Sequence, residues 1–411
     1  MNFLFKVHYE KLSAIASRKK TTIMKRLLKQ SGIVTAILAT VILLALKKPE
    51  PRTALATNSG KAAPKIQAAI LLDVSNSMDG LIEQAKAQLW NMVSVMGKAK
   101  CNEITPQIEI ALYEYGRTNN NAKAGYVKQI SSFTTDLDKL SQQLFNLTTN
   151  GGDEYCGQVI YTSLKDLSWD SAASNYKVIF IAGNEDFLQG NLPYIKACNE
   201  AKSKGVIVNT IYCGDKMQGI QEHWNLNAEC GNGSYTNIDQ DAKIEDIPTP
   251  YDSVIFALND KLNGTYLRYG SQGSAGAAAQ VAADEMNYKM NKSVEVKRIT
   301  VKGKKELYNN TTWDMVDASE KDKNFAQKVD MKTLPDSLKG KSRKEIQQVI
   351  DKKTAERAQI QKEIETINTS REVYLANEKK KAATNNQTAT LEAEIEKIIK
   401  KQAGRFKMLI K

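Results

Sequence analysis

The chain has 411 residues and 42% hydrophobic content, enough for about two or three folded units but near the low end of globular usage, so part of it is not core-forming. Its net charge of +12 is unevenly spread: residues 1–64 carry +10 and 271–411 carry +9, while 65–270 carry −7. A nucleic-acid-binding domain puts a basic patch with stacking aromatics on its folded part; here that part is acidic, so this class is set aside.

Residues 1–31 form a basic N-terminal region. Gly32 to Leu46 follows with fifteen uncharged residues, preceded by Arg18, Lys19, Lys20, Lys25, Arg26 and Lys29 and followed by Lys47 and Lys48. Fifteen is short for a spanning helix and suits a signal h-region, and the flanking charges fit either a signal peptide or an N-in anchor. The triplet Ala54-Leu55-Ala56 stands behind four charged residues, a poor cleavage context, so segment 32–48 is expected to anchor the chain in a cell membrane with its bulk outside; cleavage and secretion is the alternative. Met24 offers a second start with a normal short n-region. Residues 49–64 mix Pro, Ala, Ser, Gly and Lys without periodicity and read as a linker.

From residue 65 strands and helices alternate. Ala68 to Asp73 is a continuous apolar run, a central strand buried on both faces. Gly80 to Met96 is helical in pattern, with Leu81, Ala85, Leu89, Val93 and Met96 on one stripe. Gln107 to Tyr115 alternates as a strand, and Gly125 to Phe133 is an edge strand. Helices are expected at Asp136 to Leu147, with Thr135 as N-cap, and at Gly157 to Leu167. Tyr176 to Ile181 is a buried strand, Pro193 to Lys204 a helix closed by Gly205, Val206 to Cys213 and Ser234 to Ile238 strands, and Tyr251 to Leu262 a closing helix. This order predicts an α/β fold with a doubly wound, mostly parallel sheet over 65–270, plus a C-terminal helical tail.

Residues 271–340 read as a Gly/Ala-rich hinge and a small mixed segment, with strands expected at Glu295 to Val301 and Thr311 to Val316. Residues 341–411 read as a charged helical tail. Ile360, Ile364, Ile367 and Tyr374, then Leu391, Ile395 and Ile398, recur at helical spacing and suggest an αα-hairpin or short coiled coil. The five cysteines, Cys101, Cys156, Cys198, Cys213 and Cys230, show no CxxC spacing, so a zinc site is not indicated. Export permits disulfides, and an odd count leaves at least one thiol unpaired within the chain.

The chemistry concentrates at Asp73-Val74-Ser75-Asn76-Ser77, immediately after the first buried strand. A carboxylate and two hydroxyls on alternate residues of a turning loop are hard oxygen donors of low total charge, which suit Mg²⁺; Mn²⁺ and Ca²⁺ are also compatible. Few negative ligands leave the ion able to accept a further carboxylate. The plain alternative is a turn with Ser77 as helix N-cap. Dehalogenase-type phosphatases also put an Asp after the first strand, but they need a second acid where Ser75 stands.

The run Ile70 to Met78, the segment Thr148-Thr149-Asn150-Gly151-Gly152 and the strand Tyr176 to Ile181 resemble the von Willebrand factor A family, over about half the chain. The resemblance implies a metal-ion-dependent adhesion site with Asp73, Ser75 and Ser77 from the first loop and Thr149 from the second, Thr148 being the close alternative. Where the family ends its third-loop strand in Thr-Asp-Gly, this chain has Ala182-Gly183-Asn184-Glu185-Asp186, with Gly183 at the acidic position. Glu185 is then the expected third ligand, with Asn184 and Asp186 as rivals and Asp153 and Glu154 as possible compensation. Asn209-Thr210, Cys213-Gly214-Asp215 and His223-Trp224 either rim the site or are structural. The resemblance implies a non-enzymatic recognition or adhesion protein of the bacterial envelope, binding a protein partner's carboxylate through the metal. Two alternatives stand beside it: a scaffold with an empty metal site that assembles through its helical tail, and a hydrolase using Cys156 or water activated at Asp153 and Glu154. For the hydrolase the sequence shows no nucleophile–base pair.

Overall fold

The computed structural model describes residues 63–238, 247–382 and 390–410. The expected anchor or signal segment 32–48 and residues 49–62 of the expected linker lie outside the described residues, and among those described no helix is long and apolar enough to cross a membrane.

Ala63–Lys411 forms one compact unit. In chain order its elements are β1 (Lys65–Asp73), α1 (Asp79–Met96), β2 (Ala99–Lys100), β3 (Gln107–Tyr115), β4 (Lys128–Thr134), α2 (Leu137–Phe145), α3 (Cys156–Asp166), β5 (Tyr176–Gly183), α4 (Tyr194–Lys204), β6 (Ile207–Cys213), α5 (Lys216–Gln221), α6 (Trp224–Cys230) and β7 (Tyr235–Ile238). A helical part follows: α7 (Asp252–Asn263), α8 (Gly273–Met290), α9 (Lys292–Lys302), α10 (Met315–Lys321), α11 (Phe325–Lys328), α12 (Arg343–Ala382), α13 (Leu391–Ala403) and the short β8 (Leu409–Ile410). The main sheet has the order β4-β3-β1-β5-β6-β7, parallel except for β4. β1 sits at its centre, in register with Gln107 to Tyr115 on one side and Tyr176 to Ala182 on the other.

Each central strand faces two cores. Ile66, Ala68, Ile70 and Leu72 of β1 join one cluster, while Ala69 and Leu71 join the other. This explains the unbroken apolar run: alternate side chains point to opposite faces, and both faces are covered. One face is packed by α3, α4 and α6. Cys198 of α4 and Cys230 of α6 are paired in a disulfide, with Cα atoms 5.8 Å apart, leaving Cys101, Cys156 and Cys213 as free thiols.

The other face draws part of its cover from the C-terminal helices. Ile395, Ile398, Ile399 and Ala403 of α13 belong to the same cluster as Trp90 of α1 and Ile70 of β1. Gln402 of α13 reaches the sheet itself, exchanging amide bonds with Asn209 (2.6 and 3.1 Å) and accepting from Tyr176 Oη at 2.9 Å. Ile360 and Ile364 of α12 pack instead with α7 and α9 around Ile255, Leu262 and Ile299. The two apolar stripes that suggested a hairpin or coiled coil therefore serve different neighbours rather than each other.

Both strands expected in 271–340 are corrected. Residues 295–301 belong to helix α9, whose N-cap Asn291 accepts from the backbone N–H of Ser293 and Val294. Every residue from Val294 to Lys302 except Lys297 is buried, so no polar face was left to mark a helical period. Thr311 to Trp313 is a turn and Met315 and Val316 open α10, with Asp314 as its cap. At α2 the cap is Asp136, not Thr135: its carboxylate accepts from Lys139 N at 3.0 Å.

Buried ion pairs join the two parts. Arg298 of α9 is fully buried between Asp138 of α2 (2.6 Å) and Asp284 of α8 (2.7 Å), with its guanidinium 4.8 Å from the Trp90 ring centroid. Lys302, also fully buried, donates to Asp284, Asn259 and Asn263 at 2.8 to 2.9 Å. On α12, Arg357 binds Asp314 and Asp317, both at 2.8 Å, and Arg371 binds Asp252 at 2.7 Å. Removing one member of such a set strands a buried charge. Arg298→Met should therefore cost about 3–5 kcal/mol of unfolding free energy in urea titrations; a loss below about 1 kcal/mol would mean that the network does not hold the layers together.

Glu295 lies beside this network with Oε2 buried and unpartnered, and burial pushes its carboxyl up to about 8, with Arg298 opposing the shift. A carboxyl raised in the folded state favours folding below its unfolded value near 4.3 and loses that contribution as pH rises toward 8. Glu295→Gln should flatten the decline of melting temperature between pH 5 and 8. Parallel pH profiles for parent and variant would contradict this.

Candidate metal site

The carboxyl ends of β1, β3 and β5 meet at the centre of the sheet, where doubly wound folds place their ligands. Asp73 ends β1 and is fully buried. Its Oδ1 accepts from Ser75 N at 2.7 Å, which folds the loop back; its Oδ2 is buried and has no hydrogen-bond partner. The Ser75 and Ser77 hydroxyls stand 3.1 Å apart. Asp73, Ser75 and Ser77 thus stand together on the loop that closes β1.

The second loop contributes differently. Asn150 N donates to Val74 O at 2.9 Å, tying that loop to the first. Thr149 Oγ1 donates to Asp79, and Thr148 takes Arg117 on both its carbonyl and its Oγ1. Glu154 is buried next to Asp73: a Cβ placed on Gly116 would lie 2.8 Å from Asp73 Oδ1 and 2.9 Å from Glu154 Cγ. Gly116, at φ +80°, thus supplies the room in which both acids sit.

The third loop explains its own departure from the family pattern. A Cβ at Gly183 would lie 2.5 Å from Tyr115 Oη and 3.0 Å from the Trp224 ring. Tyr115 Oη donates to Ala182 O at 2.9 Å, and Trp224 Nε1 donates to Glu185 O at 2.8 Å, so these two rings occupy the space an acidic side chain at 183 would need. Asn184 Oδ1 accepts from Ser77 Oγ at 3.1 Å. Asp186 is engaged by His223 Nδ1 at 3.0 Å and by Leu188 N at 2.9 Å. Glu185 reaches the other acids electrostatically, since its charge raises both Asp73 and Glu154. Asn209 is buried under α13, Thr210 Oγ1 donates to Trp224 O at 2.8 Å, and Asp215 caps α5, so these serve the fold.

Burial pushes the Asp73 carboxyl up to about 7, with Glu185 adding to the rise and the Ser75 amide opposing it. Burial likewise raises Glu154 to about 8, reinforced by Asp73 and Glu185. Among the described residues no three His, Cys, Asp or Glu side chains are placed to hold a metal by themselves. A cation here would be held by one or two carboxylates with hydroxyls, a donor set that fits Mg²⁺ and leaves room for water. Asp73, with its unpartnered oxygen beside two serine hydroxyls, fits such an ion.

No family model matches the chain, and no curated protein does. By its strand order and by the loop that closes its first strand, the chain is similar to von Willebrand factor A domains. Solved structures similar to it include an aerotolerance-related membrane protein from Bacteroides fragilis (16% identity, TM-score 0.31, over 42% of this chain and 92% of that one). Others are the SpRpn10 VWA domain (15%, 0.33, over 42% and 88%) and proximal thread matrix protein 1 from the mussel byssus with a zinc-occupied adhesion motif (12%, 0.31, over 43% and 42%). Scores this low add no argument of their own, and the fold assignment rests on the sheet.

Restoring the family's third-loop acid should fail. Gly183→Asp must displace Tyr115 or Trp224 from the core and should lower the unfolding free energy by about 1–3 kcal/mol, the usual cost of overpacking. A variant as stable as the parent in thermal melts would show that the rings yield easily and that the position is open to a ligand.

Proposed function

We propose that this is a recognition protein that binds a divalent cation, Mg²⁺ in the first place, at Asp73, Ser75 and Ser77, and through it the carboxylate of a protein partner. The observation that carries the reading is the buried, unpartnered Asp73 Oδ2 beside the two serine hydroxyls. A lone buried carboxylate oxygen is costly, and a cation would satisfy it. Glu154, rather than a third-loop Asp, supplies the second negative charge, directly or through water. When bound, the ion would act as a Lewis acid with few anionic ligands, able to take a carboxylate from outside. The chain's own residues hold Asp73 in place through the Ser75 amide and screen it from solvent with Tyr115 and Trp224.

Recognition is favoured over turnover because the nearest nucleophile is poorly prepared. Cys156 is buried, donates its thiol to Tyr115 Oη at 3.7 Å, and is pushed up by burial, so its thiolate is disfavoured. We further propose that the apolar segment 32–46 tethers the chain to a cell membrane with the folded unit outside, on the strength of its charge flanks.

The test is a thermal melt of the chain with Mg²⁺ and Mn²⁺. An ion that binds only the folded state raises the melting temperature by mass action. The parent should rise, Asp73→Ala should not respond, and Glu154→Gln should weaken the response more than Glu185→Gln. A metal response that survives Asp73→Ala sinks the site; the reverse order of the two glutamine variants would return the second carboxylate to Glu185.

A further inference from the structure

The two ends of the sheet carry opposite charge. At the carboxyl end stand Asp73, Asp79, Glu154 and Glu185. At the amino end, chain segments returning from the helices bring lysines together: Lys98 and Lys100 follow α1, Lys304 follows α9, and Lys407 precedes β8. These four line one groove of about 1150 Å³ between the β2–β8 ribbon and α12. Lys100 donates to Thr105 Oγ1 at 2.6 Å, but none of the four takes part in a salt bridge among the described residues. Glu306 and Glu365 share the groove and favour the charge on Lys304. Burial, then Lys98 and Lys100, outweigh them and lower its pKa; Glu103 is a third acid in the lining.

A second cavity on this end, of about 750 Å³, is also basic, with Lys177, Lys202, Lys204 and Arg405 in its walls. The segment 404–409 separates the two. The chain enters the sheet at the same end: Gln107 N donates to Pro64 O at 2.8 Å, and Lys65 opens β1.

We propose that the amino end of the sheet is a docking face for an anionic lipid surface, whose phosphate headgroups enter the groove of Lys98, Lys100, Lys304 and Lys407. Two separate basic cavities on one face suit a charged surface better than one small anion, which would account for only one of them. The sequence before Pro64 contains the uncharged run 32–46 between basic flanks. Docked this way, the Asp73 end of the sheet points away from the lipid. The inference does not depend on metal binding and stands or falls separately.

Ala63–Lys411 is a compact unit, and the apolar clusters of the described residues lie within it, so residues 63–411 can be tested without the apolar run. The measurement is co-sedimentation with vesicles of phosphatidylcholine alone or with roughly one-third phosphatidylglycerol. Binding is expected only to the anionic vesicles and should weaken with salt. At about 1 kcal/mol for each lysine near such a surface, the quadruple variant K98Q/K100Q/K304Q/K407Q should lower partitioning on the order of a hundredfold or more. Lys→Gln changes at the exposed positions 289, 321, 323 and 328 provide a control of equal charge and should bind as the parent does. If the quadruple variant does not melt cooperatively, K98Q/K100Q takes its place, with a loss of about tenfold or more expected. Failure to bind anionic vesicles, equal binding to neutral ones, or an equal loss in the control would overturn the proposal. So would soluble pyrophosphate that raises the parent's melting temperature while vesicles do not bind, since the groove would then be a small-anion site.

Discussion

The structure turns on a guanidinium in an apolar interior. Arg298 has no exposure to solvent, and it is tolerated there because Asp138 and Asp284 stand within 2.7 Å and the Trp90 face lies against it. The two carboxylates come from different layers, α2 beside the sheet and α8 in the helical part. Burial alone would raise the Asp284 carboxyl, but Lys302 and Arg298 outweigh it and hold it well below the usual range. The pairing is directional in a way that apolar packing is not, so it sets where the helical part meets the sheet as well as that it does. Arg357 and Arg371 repeat the device along α12, anchoring a helix whose apolar stripe is thin.

The same economy of charge shapes the two ends of the sheet. In a parallel sheet the loops at the carboxyl end are drawn from successive β–α turns, and here they gather Asp73, Asp79, Glu154 and Glu185, none of them in a salt bridge among the described residues. Arg117, which follows β3, is turned to Thr148. The segments that return from helices to strands gather lysines at the opposite end. An acidic end with a buried, unpartnered oxygen and a basic end where Lys98, Lys100, Lys304 and Lys407 form no salt bridge among the described residues invite different ligands, a cation at one and an anionic surface at the other.

Much of the site was legible because it is local. Asp73, Ser75 and Ser77 are alternate residues of one short loop, and a D-x-S-x-S loop behind an apolar run carries its own meaning. The exchange of partners in the other loops was not legible. Thr149 belongs with Asp79, which lies only two residues beyond Ser77 and could have been noticed as part of the same loop. Glu154 lies near Asp73 because Gly116 leaves both of them space, and nothing in the order of residues links positions 73, 116 and 154. The missing acid at 183 reads in sequence as a loss. In space the position is filled by Tyr115 and Trp224, from β3 and the start of α6.

What the sequence determined by itself was the sheet: strands buried on both faces are written as unbroken apolar runs, and the helices between them keep a 3.6-residue period wherever one side meets water. Boundaries held to within a few residues for the same reason. Only the tertiary structure decided the C-terminal third. α9 is surrounded by protein, so its Glu295, Arg298 and Lys302 face partners rather than solvent, and alternating polar and apolar residues no longer report a strand. The charged stretch after residue 343 read as a helical tail with a hairpin or coiled-coil seam, and its arginines ordinarily mark a surface. Here Arg357 and Arg371 point inward to Asp314, Asp317 and Asp252, 40 to 119 residues away in the chain, and pairings at that separation leave no local trace.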